Sequence, residues 1–232
     1  WYNLGLTFRS QGNNAEAIKS FKKTIHLEPD HPEANHLLSA LLGKTTKNAP
    51  KEYIERLFNS AANSFEDTLL GNLDYKIPKI ITMLIREENS YKNFDSTLDL
   101  GCGTGLVGRE LEGTSQFIDG VDLSQSMLKK ALEKKSYRNL INADVLEYLR
   151  KAHLDYDYFV AADVFIYVGD LSELFDLISS RNERTGKLVF STEHSEIKGY
   201  HLEKSGRYSH SKSYIEALCK KYRFSINHFS TA

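Results

Sequence analysis

The chain has 232 residues, of which 41 % are hydrophobic, 11 % aromatic and 26 % charged; this is an ordinary globular composition and excludes disordered, collagen-like and disulfide-scaffold classes. Lys and Arg number 30 against 31 Asp and Glu, so the net charge is −1 and nothing draws the whole molecule to nucleic acid or to an anionic membrane. No apolar run approaches the roughly 18 residues that span a bilayer, and no charged-then-apolar leader opens the chain, so neither a membrane anchor nor a secretion signal is expected. Two cysteines, Cys102 and Cys219, fit a reduced, cytoplasmic setting better than a disulfide framework, and they lack zinc-ligand spacing. His26, His31 and His36 stand five apart, which puts successive rings about 140° apart on a helix, so no metal site is expected there.

The first segment, residues 1–43, reads as a helical hairpin followed by a third helix. Trp1, Leu4, Gly5 and Phe8 share one helical face, and Gly12-Asn13-Asn14 breaks the run. Ala17, Ile18, Phe21, Thr24 and Ile25 form the face of a second helix that Pro29 stops, and a third runs from Pro32 to Leu42. Trp1, Leu4, Gly5, Phe8, Ala17, Phe21 and Pro29 together resemble a tetratricopeptide repeat, with the opening helix of a second. One such repeat cannot bury its own apolar face. It either recruits a protein partner or packs as a cap on the neighbouring domain, and the start inside a helix suggests residues lost upstream.

Residues 44–50, Lys-Thr-Thr-Lys-Asn-Ala-Pro, are polar and end in proline, so they are read as the linker to a second domain over 51–232. That domain opens with helices in 51–95, about Lys51 to Leu70 and Ile77 to Glu88. From Ser96 short apolar runs alternate with amphipathic stretches. Strands are expected at Thr97–Leu100, Phe117–Val121, Arg138–Ile141, Tyr156–Ala162, Lys187–Ser191 and Phe224–Phe229, with helices between them. This alternation predicts an α/β fold with a doubly wound, mostly parallel sheet, whose ligands bind beyond the carboxyl ends of the strands.

The most informative segment is Leu98-Asp99-Leu100-Gly101-Cys102-Gly103-Thr104-Gly105-Leu106-Val107-Gly108. Gly103, Gly105 and Gly108 satisfy G-x-G-x-x-G with Asp122 downstream, which alone passes as a dinucleotide fingerprint. Asp99 speaks against that reading, because a carboxylate at the loop repels a diphosphate but accepts from an ammonium. The segment resembles the first motif of class I S-adenosylmethionine-dependent methyltransferases, and later segments come in family order: Gly120-Val121-Asp122-Leu123-Ser124, Asn142-Ala143-Asp144-Val145, Asp155 to Asp163, and Lys187 to Ser191.

That resemblance implies a Rossmann-like methyltransferase sheet that holds S-adenosyl-L-methionine and no metal. The implied cofactor-binding residues are Asp99, Gly101, Cys102, Gly103, Gly105, Asp122, Leu123, Met127, Asp144, Val145 and Ala161. Asp122 would take the ribose hydroxyls, Leu123 and Met127 an adenine face, Asp144 the adenine amino group. Each aspartate also reads as a helix cap. Candidate catalytic residues are Asp163 after the fourth strand, His194 after the fifth, and Tyr208 and His210 in the donor-rich segment Arg207–Ser211.

Phe58 to Glu66 resembles the helix that related enzymes fold over the cofactor, F-D-x-Y-A-x-x-F-D, but with Asn59 for the aspartate and Ala61 for the tyrosine; Leu73, Tyr75 and Pro78 match the segment next to it. The family sheet has seven strands and six are counted here, which suggests truncation before the last. The expected function is methyl transfer to a small-molecule acceptor, less readily to a protein and not to nucleic acid, since no basic stripe is present. The alternatives are a cofactor-binding scaffold without turnover and an NAD-dependent oxidoreductase.

Overall fold

The computed structural model describes residues 1–72 and 75–231. Three helices open it: α1 (Tyr2–Ser10), α2 (Asn14–Leu27) and α3 (Pro32–Leu41). The Asn13 side chain accepts the Glu16 amide at 3.3 Å and so caps α2. Gly5 lets α1 lie directly on α2, since a Cβ there would fall 2.6 Å from the Phe21 ring. Ala17, Phe21, Ala34 and Leu37 share one core with Tyr53, Ile166, Tyr167, Leu202 and Tyr208, so the hairpin buries these residues against the rest of the chain, while Trp1 and Leu4 of its first helix stay exposed.

Residues 44–50 form a strap, with backbone and side chains bonded to both sides. The Lys47 carbonyl accepts the Asp170 amide at 2.9 Å, and the Ala49 amide donates to the Tyr167 carbonyl at 3.1 Å. Thr45 Oγ1 accepts the Leu202 amide at 3.2 Å, and the Thr46 and Tyr208 hydroxyls lie 2.6 Å apart.

Helix α4 (Lys51–Ala61) is shorter than the expected Lys51 to Leu70. The run Asn59 to Ser64 ends it because its hydroxyls turn back on the backbone: Ser60 Oγ donates to the Leu57 carbonyl at 2.9 Å and Ser64 Oγ to the Ala61 carbonyl at 3.4 Å. A π-helical turn (Asp67–Asn72) and α5 (Ile77–Glu88) come next. Of the residues matched to the segment behind this helix, Leu73 lies outside the described residues, whereas Tyr75 and Pro78 are inside.

The main sheet has five parallel strands in the order β3-β2-β1-β4-β5: β1 (Phe94–Leu100), β2 (Ser115–Asp122), β3 (Asn139–Asn142), β4 (Tyr158–Ala161) and β5 (Lys187–Phe190). Helices α6 (Leu106–Glu110), α7 (Gln125–Lys134), α8 (Val145–Lys151) and α9 (Ser172–Arg181) connect them. The two-residue period of β4 divides the core. Tyr158 and Val160 pack with Ile81, Ile85, Val107 and Leu111 on one face, while Phe159 and Ala161 pack with Leu98, Leu149, Leu174 and Phe175 on the other. The strand order reverses between β1 and β4, the switch point at which such sheets open a crevice.

Two local expectations fail beyond β5. Residues 224–229 form no strand: the Phe224 amide closes α10 (Lys212–Lys221) through the Cys219 carbonyl at 2.9 Å. Ile226 and Phe229 then stay 45 % and 44 % exposed, because period-2 alternation makes a strand only where a neighbour supplies the ladder. Conversely, a small sheet not foreseen from the sequence forms from β6 (Glu193–His194), β7 (Tyr200–Leu202) and β8 (Tyr208–His210), in the order β6-β8-β7. Its β7-β8 turn seats the repeat: His36 Nε2 donates to the Gly206 carbonyl at 2.9 Å and Arg9 donates to the Ser205 carbonyl at 2.5 Å.

Candidate functional site

The carboxyl ends of β1, β2 and β4 meet around the glycine loop. Register places Asp99 beside Gly120 on one side and Val160 on the other. Beyond Leu100 the loop is stapled back to β2, since the Gly101 and Cys102 amides both donate to the Val121 carbonyl, at 2.7 and 3.0 Å. Gly101, Gly103 and Gly105 take φ of +67°, +54° and +87°, values that an L side chain resists.

These glycines differ in what they face. A Cβ on Gly101 would meet Val164 Cγ2 at 2.5 Å, one on Gly105 the Tyr137 ring at 3.0 Å, and one on Gly108 the same ring at 2.4 Å. Gly103 alone among the four has no atom within 4 Å of that position. Three of the glycines thus admit the protein's own side chains, and Gly103 leaves its face of the loop open to a ligand.

Around that opening stand two carboxylates. Asp122 Oδ2 accepts the Gly103 amide at 2.8 Å and Oδ1 the Ser124 amide at 2.7 Å. Burial raises its pKa against those bonds. Asn142 Nδ2 donates to the Asp122 and Leu123 carbonyls at 3.1 and 2.8 Å and so fixes the end of β2. Asp99 is 1 % exposed. Its Oδ2 accepts the Tyr137 hydroxyl at 2.7 Å, while Oδ1 is buried without a hydrogen-bond partner. Burial pushes the Asp99 carboxyl up to about 7; the Tyr137 bond pulls it down, and the nearby Asp122 charge adds to the rise.

This arrangement fits a ligand with a cationic end at Asp99 and hydroxyls at Asp122. It does not fit a diphosphate, because two carboxylates converge on the loop that would have to cradle one. The acceptor set therefore matches S-adenosylmethionine, which carries an ammonium besides its ribose diol, better than NAD.

The other expected cofactor residues divide by role. Cys102 turns its sulfur inward, where a Cβ on Gly120 would lie 2.9 Å from it, so only its backbone belongs to the loop. Burial pushes its thiol up, and it stays neutral. Met127 is fully buried under Ser124, whose Oγ accepts its amide at 3.2 Å, and Leu123 is half-buried at the mouth. Asp144 Oδ1 caps α8 by accepting the Glu147 amide at 3.0 Å. Val145 packs against the core, and Ala161 is fully buried at the end of β4.

The structure separates the expected catalytic residues. Asp163 ends β4 with φ +56°, an uncommon backbone for a non-glycine residue. Ser191 holds it twice: its Oγ accepts the Asp163 amide at 2.8 Å and donates to Oδ1 at 2.6 Å. Tyr75 bonds Asp163 from the segment before α5, and burial with the Asp163 charge pushes the Tyr75 phenol up. His194 lies instead on the exposed edge of the small sheet, its Nε2 3.0 Å from Glu196 Oε1.

Tyr208 and His210 do not line an exposed loop, being 0 % and 1 % exposed within β8. His210 Nε2 donates to the Val168 and Gly169 carbonyls, both at 3.0 Å, and Nδ1 accepts the Thr192 hydroxyl at 2.5 Å. Burial lowers its pKa, so it is a neutral, fully bonded histidine between β8 and the residues after β4. Tyr208 and His210 thus spend their polar atoms on Thr46, Thr192 and backbone carbonyls, which speaks against a catalytic role.

Helix α4 roofs the site. Asn59 Oδ1 accepts Ser124 Oγ at 2.7 Å and the Ser126 amide at 3.3 Å, Glu66 pairs with Lys134, and Lys51 pairs with Glu147. Phe58 packs edge-on against Tyr167 at 5.4 Å and near Phe65 at 6.1 Å, forming an aromatic wall beneath the roof. The residue at the family's aspartate position thus fastens the roof to α7. Tyr137 and Ser191 were missed by sequence reasoning. Gly120 was the available signal for Tyr137, since a glycine inside a buried strand marks a close approach.

Comparisons with known proteins agree with this geometry. Residues 98–188 match the family described as methyltransferase domain, and residues 1–31 match the tetratricopeptide repeat. The malonyl-[acyl-carrier protein] O-methyltransferase of Bacillus cereus is 26 % identical over 145 residues, covering 61 % of this chain and 53 % of that protein. The ubiquinone biosynthesis O-methyltransferase of Hydrogenovibrio crunogenus is 26 % identical over 164 residues, covering 67 % of this chain and 66 % of that protein. The chain spans 53 %, 26 % and 45 % of the length of three such relatives, about half or less. In fold, it superposes on magnesium protoporphyrin IX methyltransferase from Synechocystis with bound S-adenosylhomocysteine, with a TM-score of 0.60, 18 % identity, and coverage of 78 % of this chain and 94 % of that one. Residues 98–188 thus resemble a methyltransferase domain, and residues 1–31 a tetratricopeptide repeat.

Proposed function

We propose that the protein transfers a methyl group from S-adenosylmethionine to a small-molecule acceptor in a cytoplasmic setting. The observation that carries this reading is the open face of Gly103 flanked by the buried, half-bonded Asp99 and by Asp122. S-adenosylmethionine supplies a methyl already activated on a sulfonium centre. What remains for the protein is orientation, which contributes about 7–11 kcal/mol in favourable cases.

In this reading Asp122 takes the ribose hydroxyls with the lone pairs its amide bonds leave free, Leu123 supplies an apolar face backed by the buried Met127, and Asp144 accepts from the adenine amino group. Asp99 holds the ammonium. On the acceptor side, Asp163 is fixed by Ser191 and Tyr75 at the end of β4 and is placed to receive a proton from an acceptor hydroxyl or amine; such assistance contributes typically 10²–10⁴-fold. Helix α4 and its aromatic wall exclude water. His194 stands on the exposed edge of the small sheet, paired with Glu196, and is the less favoured candidate.

A small acceptor is favoured over a protein because the repeat's inner residues Ala17, Phe21, Ala34 and Leu37 are taken up by the core shared with the small sheet and Tyr167, which leaves exposed, of the large apolar residues in 1–31, only Trp1, Leu4 and Leu27. No helix among the described residues is long and apolar enough to cross a membrane. Incubation with methyl-labelled S-adenosylmethionine and a whole cell extract, small molecules included, tests the reading: once unreacted cofactor is separated, label is expected in a new product of the small-molecule filtrate. Label confined to precipitated protein would overturn the choice of acceptor. Bound cofactor with no label anywhere would favour the scaffold alternative.

A further inference from the structure

Tyr137 stands in the short connection between α7 and β3, in no recognised motif. Its ring threads a slot cleared by three glycines: a Cβ would come within 2.4 Å of it at Gly108, 2.9 Å at Gly120 and 3.0 Å at Gly105. At the end of that slot its hydroxyl donates to Asp99 Oδ2 at 2.7 Å and accepts the Gly108 amide at 3.1 Å. The second carboxylate oxygen, Asp99 Oδ1, is left buried and unbonded. An oxygen so placed is unfavourable unless a donor arrives.

We propose that Tyr137 is a positioning residue for the cofactor: it binds one oxygen of Asp99 and the first turn of α6 together, and so presents the other oxygen to the ammonium end of S-adenosylmethionine. This role rests on the proposed cofactor and falls to a residue outside the family's motifs. The sequence pattern is explained by it. Gly105, Gly108 and Gly120 are small for the sake of an internal aromatic ring, which a dinucleotide fingerprint would have credited to a ligand. The groups that face Asp99 are Tyr137 from the α7–β3 connection, Asp122 from the end of β2, Cys102 from the loop and Tyr75 from the segment before α5. Of these only Tyr137 lowers the Asp99 pKa; burial and the Asp122 charge raise it, to a net value of about 7.

The test is calorimetric titration of the full chain and of Tyr137→Phe with S-adenosylhomocysteine, which keeps the ammonium, between pH 6 and 8.5. The Phe ring still fills the glycine slot, so circular dichroism of the variant is expected to match the unaltered chain. Its affinity at pH 7.5 is expected to fall about tenfold, equivalent to about 1.4 kcal/mol. The acid limb of its binding profile should move to higher pH, because the bond that lowers the Asp99 carboxyl is gone. In an Asp99→Asn background the same Phe substitution should add little. Unchanged affinity and pH profile in Tyr137→Phe, or a loss of equal size with and without Asp99, would overturn the proposal. Absence of binding by the unaltered chain would instead contradict the cofactor reading and the proposal with it. If the Phe variant fails to fold, the Asp99 carboxyl-carbon resonance of the unaltered chain decides: it should titrate near neutrality without ligand and leave that range when S-adenosylhomocysteine binds, and an unmoved titration would sink the idea.

Discussion

Asp99 is held buried and half-bonded, in a state that costs stability. Its carboxyl titrates near 7 in the folded chain against 3.8 in the open, so the folded protein binds a proton that the unfolded chain has released, and stability falls as pH rises between those values. The full shift amounts to about 4 kcal/mol, an upper figure. Asp99→Asn is therefore expected to raise the melting temperature of the ligand-free protein at pH 8 and to leave it nearly unchanged near pH 4; an unaltered melting temperature at pH 8 would contradict the buried carboxylate. Asp122→Ala removes the partner of the Gly103 and Ser124 amides as well as the proposed ribose contact, and at least a tenfold loss of S-adenosylhomocysteine affinity is expected, about 1.4 kcal/mol. Asp122 was legible in the sequence because the end of a strand after a glycine loop is a fixed place in the fold. Tyr137 was not, since nothing local to Ser136-Tyr137-Arg138 shows that three glycines elsewhere make room for it.

Among the elements, five strands and the helices of the repeat are legible from periodicity, because each buries a stripe long enough to leave a period-2 or period-3.6 trace. The small sheet could not be read this way: β6 is two residues long and β7 and β8 three each, too short for any period, and they are held by register with one another and by the repeat. The segment at 224–229 failed for the opposite reason, a good period without a neighbouring strand. Because the repeat shares its core with Tyr167 and Tyr208, it should not melt as a separate unit. Phe21→Ala is expected to destabilise the molecule by about 3–5 kcal/mol within a single cooperative transition; a separate low-temperature transition for α1 to α3 would show that the seam is weak. The roof is held more lightly. Asn59→Ala removes two bonds to the head of α7 and is expected to speed release of S-adenosylhomocysteine by roughly two- to tenfold, as read by stopped-flow.

The whole molecule is a parallel sheet with one side wall supplied by a repeat. Two buried neutral histidines, His36 at the seam and His210 within the small sheet, have pKa values lowered by burial. On acidification the unfolded chain protonates first, so their contribution is present above about 6.5 and is lost as pH falls below it. The Asp99 carboxyl acts in the opposite sense over part of that range, so the dependence should emerge most clearly in Asp99→Asn, whose melting temperature is expected to drop from pH 7 to 5.5; a flat profile would contradict neutral buried histidines. The sequence presents His210 as a candidate catalytic residue in a donor-rich segment and His36 as a helix residue, because burial of a single ring leaves no periodic trace.

Titration calorimetry of the full chain with S-adenosylhomocysteine and with NAD, each repeated on Asp122→Ala, tests most directly whether the glycine loop with Asp99 and Asp122 holds S-adenosylmethionine and not a dinucleotide. One-to-one binding of S-adenosylhomocysteine is expected, weakened at least tenfold by the substitution, about 1.4 kcal/mol, with no heat from NAD. Binding of NAD in its place, or S-adenosylhomocysteine binding indifferent to Asp122, would contradict that assignment.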